Sequence, residues 1–287
     1  MKIAVICLGY LGSARGVELL AGYFAHADAD IWLHVDSATD ATEYQALASR
    51  TPRLRLAEPR LRCWWGGFNG AQAVLNVAAQ ARATKPYDRY LYLTEDSVPL
   101  RSIPELLGLL ALDREFIDLG NADPFRVRYE QFYYWDCHAM CPRRGNMDDY
   151  VVTPEMEQQI ARLAQLRVRG KVKIPQLRYG AAYWGLSANA VSELLRRHET
   201  DLHFRESFEF SAIPEEMYYH TILGETDYGS RSALFLHMEW GKNPRPFVYR
   251  TRAELLALRV ETHYLFARKI DFNAPEIADF IQDLGRG

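Results

Sequence analysis

Cysteine is scarce in this chain, with only four among 287 residues. Four cysteines are too few for a disulfide scaffold in a chain of this length, and Cys7 lies in a predicted core strand, so a reducing compartment fits best. Cys137, His138 and Cys141 place three potential metal donors close together. Their spacing is unusual for a zinc knuckle. We therefore predict no metal site in this segment.

Long hydrophobic runs are also lacking, and no segment approaches the roughly 18 uninterrupted apolar residues of a membrane-spanning helix. Residues 1–8 form a short apolar run, but residues 9–15 follow at once without the features of a signal peptide. We interpret residues 1–8 as a buried strand. The expected location is the cytoplasm, with at most peripheral association with the inner face of a membrane.

Neither sign of charge dominates, since 34 lysines and arginines stand against 37 aspartates and glutamates. This balance argues against a general binder of nucleic acid or membrane surfaces, because both of those partners attract basic surfaces. The densest basic cluster, residues 167–173, is interpreted as a solvated loop or strand face. Internal repeats and linkers rich in serine or glycine are absent as well, so we predict one domain over residues 1–287.

Apolar residues, in contrast, are plentiful at 48% of the chain, enough for a large core. Over the first 120 residues, short apolar runs alternate with segments of helical periodicity. The predicted strands are 1–8, 30–35 and 89–93, and the predicted helices are 13–27, 70–83 and 103–110. This alternation predicts an α/β fold with a mostly parallel central sheet and helices on both faces.

Parallel sheets of this kind bind ligands at the carboxyl ends of their strands. We therefore expect sites just after Leu8, Val35 and Leu93, where Asp36 and the loop 94–97 follow two of the three strands. Residues 1–124 are predicted to form a nucleotide-binding half. Residues 125–287 are predicted to complete the site, beginning with irregular aromatic segments such as 129–135 and continuing with helices at 153–166, 188–198, 252–258 and 274–284.

Two adjacent carboxylates, Glu215 and Glu216, follow Pro214 in an apolar and aromatic segment. The pattern predicts a helix start, with Ser211 as a cap and Pro214 in the first turn. Neighbouring helical residues point about a third of a turn apart, so the two side chains should occupy different environments. One interpretation places a carboxylate in a cleft, and the other is that both compensate the helix dipole.

Six segments, taken in order, resemble one family, the core-2/I-branching glycosyltransferases, which includes the peptide O-xylosyltransferases. The segments that carry the resemblance are His-Val-Asp at 34–36, Trp-Gly-Gly at 65–67, the strand and loop 87–101, Gly-Ala-Ala-Tyr-Trp-Gly at 180–185, Ile-Pro-Glu-Glu at 213–216 and Phe-Ala-Arg-Lys at 266–269. The resemblance implies a GT-A type fold, a nucleotide-sugar donor, inversion at the anomeric carbon and no need for a divalent metal or other cofactor.

The resemblance assigns catalytic roles to two positions. Glu216 matches the family's catalytic glutamate, which deprotonates the acceptor hydroxyl, and Lys269 matches the lysine that stabilises the departing diphosphate. A companion arginine is expected about twenty residues upstream of Lys269. Arg245 and Arg250 are both in range, and we favour Arg250. The alternative for Lys269 is an ordinary surface residue at a strand edge.

Further positions are predicted to bind the nucleotide sugar. They are Leu8, Asp36, Trp65, Gly66 and Asp96, in addition to Arg250 and Lys269. Asp36 can accept hydrogen bonds from a ribose or from uracil, whereas capping a turn is the alternative. Gly66 permits a close approach of backbone to ligand. His34, two residues before Asp36, is interpreted as a packed core histidine.

The acceptor is predicted to contact Arg128, Glu130, Glu215 and Trp240. Trp240 can stack on a sugar face, although a large aromatic is as often part of the core. Ala182 stands where the xylosyltransferase branch has an aspartate, which favours a glycan or glycolipid over a peptide serine. The commonest family donor is UDP-N-acetylglucosamine.

Alternatives to this function remain open at the level of the sequence. Relatives carry the loop aspartate one residue later than Asp96, so Glu95 and Asp96 together resemble the metal-binding acidic loop of other GT-A enzymes. A different donor, such as a xylosyl nucleotide, is also possible. The competing class is a nucleotide-sugar binding protein without turnover, and the presence of both Glu216 and Lys269 argues against it.

Overall fold

The structure, a computed structural model, describes residues 1–133, 135–136, 171–240 and 246–286, together with the isolated positions 154, 158 and 161. The Cys137–Cys141 segment, Arg245, most of the helix predicted at 153–166 and most of the basic cluster at 167–173 lie outside the described residues.

A seven-stranded sheet forms the centre of the molecule. Its strands are β1 (Ile3–Gly9), β2 (Ala29–Val35), β3 (Leu54–Leu56), β4 (Arg89–Thr94), β6 (Glu115–Ile117), β9 (Trp184–Ser187) and β10 (Ser232–Ala233), in the order β10-β6-β9-β4-β1-β2-β3. β1 pairs in parallel with both β2 and β4, whereas β9 runs antiparallel to its neighbours β4 and β6. The amino-terminal ends of the parallel strands therefore lie along one edge of the sheet, and their carboxyl-terminal ends lie along the opposite edge.

The three central strands are buried along almost their whole length. Continuous burial means that both faces of the sheet are covered, which is why these strands read as near-continuous apolar runs such as Ile3–Gly9. The predicted α/β fold with a mostly parallel sheet is confirmed. The fully buried apolar side chains of these strands join those of the helices in one continuous core.

Ten α-helices accompany the sheet within the described ranges. They are α1 (Arg15–Phe24), α2 (Thr42–Arg50), α3 (Phe68–Thr84), α4 (Ile103–Leu110), α5 (Arg126–Glu130), α6 (Ala188–Thr200), α7 (Leu202–Glu209), α8 (Tyr218–Gly224), α9 (Arg252–Glu261) and α10 (Pro275–Arg286). Local capping fixes several of their ends. At α9, for example, the Glu254 amide donates to the Thr251 hydroxyl, and the Thr251 amide donates to the Glu254 carboxylate. None of the helices described is long and apolar enough to cross a bilayer.

Two smaller sheets connect distant parts of the chain. The first joins β5 (Ser97–Pro99), β11 (Leu236–Met238) and β12 (Phe266–Arg268), and the second joins β7 (Gly120–Asn121) to β8 (Arg178–Tyr179). Because β12 pairs with β5, the residues that follow β12 lie next to the loop that follows β4. Strands from both predicted halves of the chain therefore pair with one another, as β9 also does with β4.

The predicted helices that lie within the described residues are found close to their expected positions, but two local predictions were wrong and two elements were not predicted. Residues 129–130 belong to α5 rather than to an irregular segment, and α2 with β3 fills the stretch for which no element was predicted. The Ser211 hydroxyl does not cap a helix; it accepts from Lys171 and donates to the Ser207 carbonyl. A 3₁₀ turn, Pro214–Glu216, precedes α8 instead, because Ile213 adopts a left-handed conformation that a regular helix start does not allow.

Candidate active site

Asp36 immediately follows β2 at the carboxyl edge of the sheet. Its carboxylate accepts hydrogen bonds from the backbone amides of Ala38 and Cys63, both at 2.8 Å, and from Arg62 at 2.9 Å. The hydrogen bond from Ala38 is the turn-capping interaction that the sequence left as the alternative. The other two fasten the segment 61–67 to the end of β2, and a role in binding a nucleoside stays a prediction. His34 is buried and accepts from the Leu61 amide, as expected of a packed histidine.

The turn at residues 64–67 shows why two glycines are needed there. Gly66 has a φ of +72°, and a Cβ at this position would lie 2.5 Å from the ring of Trp135. A Cβ at Gly67 would lie 2.1 Å from a carboxylate oxygen of Asp136. Trp135 makes a close approach to Gly66, and the predicted role of Gly66 in binding the nucleotide sugar stays a prediction. Trp65 stacks on Trp135 and remains 45% exposed.

Glu95 follows β4 and is completely buried. One carboxylate oxygen accepts from the amides of Tyr10 and Leu11 at 2.6 and 2.5 Å, and the other accepts from the Tyr44 hydroxyl at 2.5 Å. Burial raises the pKa of Glu95, although the hydrogen bonds oppose that shift. Glu95 therefore holds the loop that follows β1 against the end of β4.

Asp96, the next residue, is equally buried but pairs with a cation. Arg268 donates to its two carboxylate oxygens at 3.1 and 2.9 Å, and Thr94 donates to one of them at 2.7 Å. Burial alone would raise the pKa of Asp96, but the charge and hydrogen bonds of Arg268 lower it below its ordinary value. The Lys269 ammonium lies 3.8 Å from the same carboxylate and is about one-third exposed, at 36%. Burial and the neighbouring Arg268 lower the pKa of Lys269.

Two other predicted nucleotide-binding residues lie at the rim of this region. Leu8 is partly buried, and its carbonyl accepts from the Glu95 amide. Arg250 is exposed, with its guanidinium 3.7 Å from Asp271. The backbone amide of the neighbouring Tyr249 donates a hydrogen bond to the Lys269 carbonyl. This backbone contact keeps Arg250 close to Lys269. Both positions are compatible with the predicted roles, which stay predictions.

The 3₁₀ turn that carries the two glutamates is held in an uncommon backbone conformation. Ile213 has a φ of +49°, which is unfavourable for a β-branched residue. Its amide donates to the Gly66 carbonyl at 2.8 Å, so the glycine turn and the glutamates are connected directly. Strain of this kind persists only where the surroundings fix the conformation, and it concentrates at functional sites.

Glu216 is paired with a cation and a phenol. Arg128, on α5, donates to its carboxylate at 2.9 Å, and the Tyr179 hydroxyl, on β8, acts on the same carboxylate and lowers its pKa. Phe125 stacks on the Tyr179 ring at 4.1 Å and lies under the Arg128 guanidinium at 4.7 Å, so it packs both partners in place. Burial raises the pKa of Glu216, and Arg128 and Tyr179 oppose that shift. Burial and the charge of Glu216 raise the pKa of Tyr179 to about 12, so its hydroxyl keeps its proton.

Glu215 occupies a different environment, as the sequence predicted. Its Oε2 atom is buried and has no hydrogen-bond partner among the residues described. Burial, followed by the charges of Glu216 and Asp136, raises the pKa of Glu215 to about 8. Compensation of a helix dipole would lower this pKa, so that interpretation does not explain Glu215. Neither glutamate is fully solvated.

Tyr92, on β4, lies between the acidic and basic parts of the site. Burial raises its pKa, the charge of Glu215 adds to the shift, and the charge of Arg268 opposes it. The Tyr92 ring also packs against Tyr183, over which the Arg268 guanidinium lies at 4.9 Å. The paired glutamates and the Arg268–Lys269 segment are therefore parts of one region at the carboxyl edge of the sheet.

Two predicted acceptor residues are not brought to Glu216. Glu130 is exposed and lies 3.8 Å from Arg126, because residues two positions apart on α5 point to different sides, and its neighbour Arg128 faces Glu216. Trp240 is 59% exposed and forms an isolated bridge with Pro246. Its exposure argues against the alternative that it belongs to the core. Arg128 contacts the predicted base itself, and no local pattern in the sequence indicates that pairing.

Sequence reasoning missed Tyr179 and Arg268. Tyr179 directly precedes the Gly-Ala-Ala-Tyr segment and Arg268 directly precedes Lys269, so their places beside motif residues were the available signal. No group of three or more histidine, cysteine, aspartate or glutamate side chains is arranged to hold a metal ion within the described ranges. Glu95 and Asp96 are two adjacent acids of the kind that bind metals, but their carboxylate oxygens accept hydrogen bonds from donors of the protein itself.

The fold and the site together define an α/β protein with acidic and basic side chains gathered at the carboxyl edge of a mostly parallel sheet. The model of the Core-2/I-Branching enzyme family matches residues 3–250, and the chain belongs to that family. A search of curated proteins found no match.

Two solved structures are similar to the chain, and both are of the glycosyltransferase GlyE from Streptococcus pneumoniae TIGR4. The apo form has 15% sequence identity and a TM-score of 0.38, covering 81% of this chain and 45% of GlyE. The other GlyE structure has 11% identity and a TM-score of 0.35, covering 82% of this chain and 45% of GlyE. The chain thus spans less than half the length of these structures.

Proposed function

We propose that this protein is an inverting glycosyltransferase that moves a sugar, N-acetylglucosamine in the leading case, from a UDP-sugar to a hydroxyl of a glycan or glycolipid. Family membership supports the general class. The observation that carries the assignment is Glu216, a partly buried carboxylate oriented by Arg128 and Tyr179 beside a strained backbone turn.

Glu216 acts as the general base. As the acceptor oxygen bonds to the anomeric carbon, its proton passes to the Glu216 carboxylate and the bond to the nucleotide diphosphate breaks on the opposite face. The base must be ionised before this step. Burial disfavours the ionised form, and Arg128 and Tyr179 oppose that effect. Proton transfer is favoured by this balance.

Lys269 stabilises the departing diphosphate. Arg268 already pairs with both oxygens of Asp96, so the charge of that aspartate is balanced without Lys269. The partly exposed Lys269 ammonium is then the cation that faces outward from the pair. A fixed cation where negative charge develops lowers the barrier of the chemical step. We assign Arg250 as its companion, since its neighbour Tyr249 is bonded to the Lys269 backbone.

The same geometry favours a mechanism without a divalent metal. For Glu95 and Asp96 to bind Mg²⁺ or Mn²⁺, Glu95 would have to give up the amides of Tyr10 and Leu11, and Asp96 would have to give up Arg268. Each exchange removes a buried hydrogen bond from the protein. The metal-dependent alternative is tested with EDTA. We expect activity to survive chelation, whereas complete loss restored by Mn²⁺ would support that alternative.

The acceptor site is assigned to the side of Glu216 that includes the exposed ring of Trp65. Trp65 is half exposed and stacked on the buried Trp135, which offers an aromatic face to the C–H groups of a sugar. Trp65 belongs to the turn whose Gly66 carbonyl accepts a hydrogen bond from the Ile213 amide, and Ile213 is three residues before Glu216. This position gives Trp65 an acceptor or donor sugar as its ligand, in addition to the nucleotide role predicted for it.

The deciding experiment is Glu216→Gln. We expect the variant to lose sugar transfer by about 10²- to 10⁴-fold, the usual contribution of a general base, while it binds the nucleotide sugar as the wild type does. Transfer is measured with UDP-N-acetylglucosamine and a glycan acceptor, and binding by calorimetry. Glu18→Gln is the matched control, because Glu18 lies on α1 and pairs with the exposed Arg15 and Arg50.

Full activity in Glu216→Gln would refute the assignment of the base. If the wild-type protein binds a nucleotide sugar but transfers no sugar to any acceptor, the result would instead support the competing class, a binding protein without turnover. A thermal-shift screen against nucleotide sugars identifies the donor, because a ligand that binds the folded protein raises its melting temperature.

A further inference from the structure

The carboxyl group of Glu215 is surrounded by acids rather than by cations. Its Oε2 atom is buried without a hydrogen-bond partner among the residues described. The Oδ1 atom of the nearby Asp136 is likewise buried and has no partner among those residues. Glu216 is the next residue along the chain and is already paired with Arg128. Glu215 is partly exposed as a residue, and a backbone hydrogen bond acts on its carboxyl group. Its Oε2 atom, however, has neither solvent nor a cation beside it to stabilise a negative charge.

Several groups near Glu215 are acids, phenols or thiols that cannot neutralise its charge. Besides Asp136 and Glu216, the groups whose pKa values its charge raises are Cys63 in the glycine turn, Tyr92 on β4 and Tyr219 on α8. Arg128 is the cation that acts on Glu215, and its guanidinium is directed at Glu216. Ionising Glu215 would therefore place a second negative charge beside the base.

The site must also accept an anionic ligand if the proposed function holds. A nucleoside diphosphate brings its own negative charges to this region, and an ionised Glu215 would repel them. A neutral carboxyl group has the opposite property, because it carries one O–H donor and can hydrogen-bond an oxygen atom of the ligand. Because Glu215 is partly exposed as a residue, such a donor can reach a ligand.

We propose that Glu215 is held as a neutral carboxylic acid and donates a hydrogen bond to an oxygen atom of the bound nucleotide sugar. The ligand inference rests on the proposed function, whereas the protonation of Glu215 does not. The two adjacent glutamates are then divided by environment: Glu216 is ionised and takes a proton, and Glu215 is neutral and donates a hydrogen bond. The raised pKa of Glu215, about 8, agrees with the geometry.

Protonation is measured directly by ¹³C NMR on protein labelled at the glutamate carboxyl carbon. Glu215→Gln, which removes one resonance, identifies the signal. We expect the Glu215 signal to titrate well above the ordinary range for glutamate, about 4.3. Titration in the ordinary range would overturn the proposal. The result stands whether or not the protein transfers a sugar, so it separates this inference from the proposed function.

Hydrogen-bond donation is tested with two variants of similar volume. Glu215→Gln keeps an uncharged donor and should bind UDP-N-acetylglucosamine nearly as the wild type does, and its affinity should no longer fall as the pH rises past about 8. Glu215→Leu has no donor and should bind about tenfold more weakly, the effect of one hydrogen bond. Thermal denaturation establishes that both variants are folded.

Free UDP distinguishes the two sources of the ligand oxygen. If Glu215→Leu weakens UDP-N-acetylglucosamine but not UDP, the donor meets the sugar, and if it weakens both equally, the donor meets the diphosphate. Either result supports the proposal. Equal binding of both ligands by the wild type and the folded leucine variant would overturn it, as would an alkaline loss of affinity that persists in Glu215→Gln.

Discussion

Two pairs of adjacent carboxylates lie in this site, and they differ in how many hydrogen-bond donors surround them. Glu95 and Asp96 have their oxygens matched to donors, namely two amides, three hydroxyl groups and the guanidinium of Arg268. Glu215 and Glu216 are matched poorly, because Glu216 has Arg128 and Tyr179 but the buried Oε2 of Glu215 has no partner among the described residues.

The difference separates structural acids from reactive ones. Donors stabilise the ionised form of a carboxylate and oppose the effect of burial. They do so fully at Asp96, whose pKa is lowered, and in part at Glu95, whose pKa is still raised. A carboxylate that is buried with too few donors has a shifted pKa and is available to a ligand, and such groups concentrate at functional sites. The sequence presents both pairs as two neighbouring acids beside a proline-containing segment.

The largest effect is expected from Asp96→Asn, which tests the structural role of the Glu95–Asp96 pair. This change leaves the buried Arg268 without its carboxylate, and we expect the free energy of unfolding to fall by about 3–5 kcal/mol, the usual effect of breaking a buried ion pair. Urea denaturation followed by circular dichroism measures it. Asp28→Asn is the matched control, because Asp28 and Arg53 form an exposed pair expected to contribute less than about 1 kcal/mol. Equal losses in both variants would contradict the structural role of Asp96.

The pH dependence of stability tests the other pair. Unfolded, Glu215 loses its proton near the ordinary value of 4.5, whereas the folded protein keeps it to about pH 8. Between these values the folded state binds more protons, so the contribution of Glu215 to the free energy of unfolding is complete below the lower value and decreases by about 1.4 kcal/mol per pH unit through the window. Glu215→Gln should remove this slope.

The measurement is the difference in unfolding free energy between the wild type and Glu215→Gln at several pH values. Asp136, whose pKa burial raises to about 6, contributes a similar slope to both proteins, so it cancels in the difference. A difference that does not change between pH 5 and pH 8 would show that Glu215 is ionised in the folded protein.

The smallest expected effect concerns the partners of Glu216. Tyr179→Phe removes the hydroxyl group that lowers the pKa of Glu216, while the stack on Phe125 is kept. We expect the acidic limb of the pH profile of kcat/KM to move to higher pH, with less than about a tenfold loss at the optimum. Tyr23→Phe is the control, since its hydroxyl donates to the Arg101 carbonyl at 2.7 Å. An identical pH profile for both variants would mean that Tyr179 only packs.

Much of the fold could be predicted because its signals are local. The runs that became β1, β2 and β4 are continuously apolar, and the helical periodicity of α3 and α4 is visible without any long-range information. The strand ends then placed Asp36 and Asp96 at the ligand edge. Short elements such as β3 and α5 were not predicted, because their formation depends on pairing and packing with distant residues.

The partners of the site residues could not be predicted in the same way. Arg128 meets Glu216 across 88 positions of the chain, and Arg268 meets Asp96 across 172. Tyr179 lies on β8, whose position is set by pairing with the distant strand β7. Gly66 is predicted to approach a ligand, and its close approach to Trp135 is a contact that no local pattern encodes.

The sequence by itself therefore determined the α/β class, the strands that form the sheet and the residues that resemble one family. It did so through periodicity and short motifs, which depend on a few neighbouring positions. The tertiary structure decided which carboxylates are neutralised and which are left reactive. Desolvation and the nearby charges set that outcome, and both are properties of the folded surroundings rather than of the chain around each acid.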